Sequence, residues 1–205
     1  MKRTGPKAEL AELKRQIKKI EDQFVKAHLV APSLTAPTPK ETLDVAAYVV
    51  LVHGAFENFI EGIALWVADR AVNSWIYKKR TTRSTSSLLL YEDIPSNQNF
   101  SLSVFDNIRK SLDSAKTRVS KAVENNNGIT MVHLQSLFMP LGVSVPSSPV
   151  LAASLNLLVK LRHQWAHQYR HVAKEVKSAA DVKTTVADCL TIAEQLSSEA
   201  SAVRP

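Results

Sequence analysis

The chain has 205 residues, 45% of them hydrophobic and 22% charged, which is enough to bury the core of one domain and too apolar for a disordered chain. Its formal net charge of +7 favours anionic partners, nucleic acid first among them, although solvated lysines alone produce the same total. One cysteine, Cys189, excludes an internal disulfide framework and a clustered-thiol zinc site and fits a reducing, cytoplasmic setting.

With 5 glycines and 9 prolines the chain reads as long helices rather than strands and turns. The opening "MKRTGPKAELAELKRQIKKI" has no apolar core of a leader, so no secretory signal is expected. Leu10, Leu13, Ile17, Ile20 and Phe24 alternate three- and four-residue steps, the seam of an amphipathic first helix. "APSLTAPTPK" (31–40) then breaks it with three prolines. Residues 1–40 thus form an N-terminal helix and a Pro-rich connector, and residues 41–205 the main helical domain.

A second, long helix begins near Glu41 and runs to about Tyr77. It is apolar around most of its circumference and should be central, so His53, Glu57, Asn58 and Glu61 inside it need an explanation. "KKRTTRSTSS" (78–87) reads as a basic, mobile loop that could guide RNA but is more simply solvated. A third helix covers roughly 101–125, with Gly128 of "ENNNG" as its terminator.

Residues 125–159 carry no Asp, Glu, Lys or Arg, but Pro140, Gly142, Pro146 and Pro149 prevent a continuous membrane span. No membrane association is expected. The segment gives a short helix, a turn, and then a helix opened by Ser148 as N-cap and Pro149 in its first turn. "SAAD" (178–181) looks like a capping-box start for the last helix, whose inner face is Val186, Cys189, Ala193 and Leu196. The expected architecture is all-α, a bundle of four to five helices.

"KLRHQWAHQYRH" (160–171) concentrates the chemistry. Three readings compete. His163, His167 and His171 are four apart, so adjacent members could pinch a metal ion, but Gln164 stands where a metalloprotease helix has its glutamate and no third ligand is supplied. The plain structural reading is a basic helix C-terminus, with Trp165 and Tyr169 as core or interface aromatics, and composition alone favours it. The third reading is the spacing itself: Arg162, four residues, His167, then Tyr169, an R-x4-H-x-Y pattern.

On these residues the chain resembles the HEPN superfamily of small α-helical proteins. The flanking "LNLLVKL" and "AHQYR", the acidic "VHGAFENFIEGI" helix and "HLQSLFMPLGV" ahead of the motif helix are similar to the RiboL-PSP type of HEPN domain, over roughly residues 41–200. One departure is His163, where the family usually has Asn.

The resemblance implies a metal-independent endoribonuclease without cofactor that leaves cyclic phosphate ends. His167 would be the acid–base residue, and Arg162, with its always-charged fork, the phosphate clamp. Five residues turn a regular helix by about 500°, leaving these two roughly 140° apart, and the family's answer is a homodimer whose motif helices meet in one cleft. Glu57 would pair with Arg162 and orient it, with Asn58 as substitute candidate and His163 and Tyr169 in support. Facing solvent is nearly as good a reading for Glu57. The Tyr169 pattern is similar to HEPN toxins paired with nucleotidyltransferase antitoxins, so a cognate antitoxin of that type joins RNA and a second copy among the implied partners. The implied setting is toxin–antitoxin or antiphage defence. The competing functions are a non-catalytic HEPN-type module that binds RNA or a nucleotide, and a helical protein–protein interaction domain.

Overall fold

The computed structural model describes residues 4–30, 37–91, 103–167 and 177–203. Among these residues there are eight α-helices and no strand. Five are long: α1 (Pro6–Phe24), α3 (Pro39–Lys78), α5 (Val104–Glu124), α7 (Pro149–His167) and α8 (Ala179–Ala202). Three are short: α2 (Lys26–Val30), α4 (Arg83–Leu90) and α6 (Met131–Phe138), the last followed by a 3-10 turn, Met139–Leu141. The expected bundle is therefore present in its long members, and the short helices raise the count.

Local sequence sets most boundaries. Thr38 caps α3, its hydroxyl accepting from the Glu41 N–H at 3.1 Å, and Pro39 opens the helix where a missing N–H costs nothing. The Ser148 hydroxyl accepts from Leu151 at 3.5 Å at the start of α7. Ser178 and Asp181 form a complete capping box on α8. α3 ends on Lys79 in the left-handed conformation (φ 55°), its N–H turned back to the Ser74 and Trp75 carbonyls. Its ammonium lies 3.2 Å from the centre of the Phe105 ring, which stacks on Trp75.

Two expectations are corrected. Half of the stretch expected as a mobile loop, residues 83–87, belongs to α4: Thr82 caps it at 3.0 Å from the Thr85 N–H, and Ser84 and Thr85 are buried. Their hydroxyls donate to the carbonyls of Leu141 and Ala71, so tertiary hydrogen bonds hold a helix whose composition suggests none. Gly128 does not end α5. The helix closes at Asn125, whose side-chain amide donates to the Lys121 carbonyl at 2.8 Å, and Gly128 lacks the positive φ of a glycine cap.

α3 is the axis of the molecule, packed by α1, α5, α7 and α8. By length and composition it could cross a membrane, but Tyr48, Val52, Phe56, Phe59, Ile63 and Val67 are spent on the core. α7 lies between α3 and α8, with Leu155, Leu158 and Leu161 buried. α1 packs on α3 and α8 through buried Leu13 and Ile17. Two ion pairs, Lys14–Glu194 at 2.6 Å and Glu21–Lys183 at 3.1 Å, edge the α1–α8 contact.

Because Ile17 is closed off from solvent, Ile17→Ala should cost about 2–5 kcal/mol in urea unfolding of the full chain. A loss below about 1 kcal/mol would mean that α1 is only loosely docked.

Candidate functional site

Three polar residues of α3 fall on one stripe. His53, Glu57 and Glu61 are spaced four apart, so each step advances only about 40° around the helix. His53 is buried and its Nδ1 lies 3.4 Å from Glu57 Oε2, while Glu57 keeps 22% of its side-chain surface exposed. Glu61 accepts from the Asn126 side-chain amide at 3.0 Å, which pins the segment leaving α5 against α3. The stripe thus runs from a buried imidazole to a carboxylate at the surface.

Two further groups converge on it. Arg162, half-buried on α7, and His133, half-buried on α6, both act electrostatically on His53 and on Glu57. Burial pushes the His53 imidazole down to about 4, with the Arg162 and His133 charges adding to the effect, so the ring is neutral at pH 7. The neutral tautomer with its proton on Nδ1 suits the contact with Glu57. Burial raises the Glu57 carboxyl above its ordinary range, while Arg162 and His133 oppose that shift by favouring the ionised form.

The expected site residues separate accordingly. Arg162 acts on Glu57 electrostatically, from a helix that packs on α3. Asn58 is exposed, about 100° around α3 from Glu57, and His163 is exposed on α7. His167 is the last residue of α7, and its side chain lies outside the described residues, as do Tyr169 and His171. Trp165 is partly buried against the core. Sequence reasoning missed His133, Thr130 and Asn126. The signal for His133 was present, because it is the one titratable side chain in residues 125–159.

Among the described residues, no cluster of three or more His, Cys, Asp or Glu side chains is arranged to hold a metal ion. Cys189 is buried, and burial pushes its thiol up to about 12, so it offers no nucleophile.

The RiboL-PSP-HEPN family model matches residues 8–202. The chain belongs to the RiboL-PSP-HEPN family. The match reaches back into α1, for which the sequence alone offered no specific likeness, and it includes the whole of α7 and the stripe on α3. No curated protein and no solved structure matches the chain. In this HEPN domain α7 carries the R-x4-H spacing, and Arg162 acts electrostatically on the α3 stripe.

The low value of His53 has a consequence for stability. Below the ordinary histidine value of 6.5 the unfolded chain takes up a proton that the folded ring refuses until about 4. Stability present at neutral pH is lost as pH falls through that window. Glu57 works in the opposite sense, since its raised value lets the folded state bind a proton first. His53→Gln should therefore flatten the acid side of the stability–pH curve by about 1–3 kcal/mol, measured by urea unfolding across the window. Parallel curves for the two proteins would contradict the buried, neutral assignment.

Proposed function

We propose that this HEPN domain is a metal-independent endoribonuclease that cuts RNA in a cleft shared by two copies of the chain. The observation that carries the reading is Arg162, presented by α7 against the His53–Glu57 stripe, five residues before a histidine in a chain of this family. A guanidinium is always charged and its planar fork of N–H groups matches phosphate oxygens. The net charge of +7 supports an anionic polymer as substrate.

In the proposed reaction His167 takes the proton from an RNA 2′-hydroxyl. The 2′-oxygen attacks the adjacent phosphorus, the bond from phosphorus to the 5′-oxygen breaks, and a cyclic phosphate remains. The departing 5′-oxygen takes up a proton from the same His167, by then an imidazolium, which returns the histidine to its starting state. Arg162 bears on the phosphate charge as it builds. The roughly 140° between positions 162 and 167 on one helix is the reason for a second copy: an arginine from one chain and a histidine from the other can face a single phosphate.

We place this activity in the cytoplasm, in a toxin–antitoxin or antiphage system. Tyr169 is the residue a nucleotidyltransferase-type antitoxin would modify.

RNA cleavage by the full chain in the presence of a chelator tests the reading. His167→Ala should lower the rate by roughly 10²–10⁴-fold and Arg162→Ala by roughly 10²–10³-fold, both with unchanged helical content. Cleavage by either variant at the wild-type rate would overturn its assignment. No cleavage by a folded wild-type dimer would leave a module that binds RNA or nucleotide without cutting it.

A further inference from the structure

A cavity of about 380 Å³ lies where the start of α1 meets α3. Its walls are residues 5–8 of the chain, Trp66 and Arg70 on α3, and Ser201 on α8. Trp66 stands nine residues beyond Glu57, about 14 Å further along α3 and half a turn around it. The cavity is therefore on the other side of that helix from the His53–Glu57 edge.

Trp66 and Arg70 are four apart and share a face of α3. The Arg70 guanidinium carbon sits over the indole, 5.4 Å from the ring centre, which restricts the side chain and keeps its flat fork at the cavity wall. The Gly5 backbone runs along the Nε1 edge of the same indole, since a Cβ there would meet it at 3.7–3.8 Å. That contact brings the Lys7 end of α1 up to the Trp66–Arg70 pair, and Lys7 and Arg70 line one space.

Lys7 is exposed and Arg70 half-buried, and among the described residues neither lies within ion-pair distance of a carboxylate. Lys14, Arg15 and Lys18, further along α1, are each paired. The acidic neighbours in sequence are engaged elsewhere. Asp69 pairs with Lys116 on α5 at 2.7 Å, while Glu9 accepts from the Thr4 hydroxyl and lies against Gly62, one turn before Trp66. The cavity thus combines two uncompensated cations with apolar wall from Pro6 and the indole.

We propose that this cavity binds a nucleotide, Lys7 and Arg70 donating to its phosphate oxygens and the base lying against the apolar wall. Two cations alone would take any small anion, and the apolar wall adds a preference for an anion that carries a flat ring. The volume suits one nucleotide unit, since small-molecule sites begin at roughly 300 Å³. Phosphate and base offer the same chemistry whether the nucleotide is free or part of an RNA chain. The site does not depend on the ribonuclease reading.

The test follows the indole N–H signals of the full chain by NMR as adenosine 5′-monophosphate is added, with Trp66 assigned from Trp66→Phe. A saturable movement of the Trp66 signal is expected. Lys7→Ala and Arg70→Gln should each weaken binding roughly tenfold or more with unchanged helical content. Inorganic phosphate and adenosine should each bind more weakly than the nucleotide. A Trp66 signal that stays still at millimolar nucleotide, binding unchanged in either variant, or phosphate bound as tightly as the nucleotide would overturn the proposal. So would binding lost in Arg162→Ala but kept in Lys7→Ala, which would put the nucleotide at α7. A 5′-phosphorylated oligoribonucleotide decides the source. Tighter binding than the mononucleotide, lost in the same two variants, identifies RNA; binding no tighter identifies a free nucleotide, and either supports the site.

Discussion

α3 is enclosed by four other helices, and a helix so placed cannot carry an ionisable group on its packed side without a partner. Most of its buried positions are apolar and used in packing. His53, Glu57 and Glu61 line up on one edge, where each is answered from another element or from its neighbour. His53 gives up its charge because burial makes the imidazolium costly. Glu57 meets the same burial penalty, which raises its carboxyl above the ordinary range, and the Arg162 charge on α7 opposes that shift by favouring the ionised form. Hence Arg162, His133 and the stripe form one electrostatic unit, and the crossing of α7 over α3 sets where the arginine stands.

This constraint bears on the proposed chemistry. An arginine on an open helix face spends its rotamer freedom each time it binds, whereas one facing a half-buried carboxylate has part of that freedom removed beforehand. The same carboxylate moderates the positive field, so the site is not simply an anion trap. In the proposed reaction, the roughly 140° between positions 162 and 167 is the reason for a second copy of the chain.

Much of the architecture was legible because it rests on local chemistry. Thr38–Pro39, Ser148–Pro149 and the Ser178/Asp181 box mark helix starts, and the seam from Leu10 to Phe24 marks α1. α4 was not legible. Its Ser/Thr-rich sequence competes with helix formation, and the bonds to Leu141 and Ala71 that settle the contest come from distant residues. Gly128 was misread for a related reason, since its role is contact with a ring five residues on rather than backbone conformation. Arg162 was named through the family resemblance, and Glu57 was singled out as a carboxylate in an apolar helix, with Asn58, which the fold leaves exposed, as its substitute. Nothing in the sequence says that His133 arrives from α6. That requires the fold.

The most direct test of the account is whether Glu57 and Arg162 act as one unit. A double-mutant cycle on unfolding free energy, with Glu57→Gln, Arg162→Gln and the double variant in the full chain at neutral pH, isolates their interaction. The account predicts a favourable coupling of at least about 0.5 kcal/mol that shrinks when the pH is lowered enough to protonate Glu57. Additivity within about 0.3 kcal/mol would contradict it and would leave Arg162 an independent surface charge.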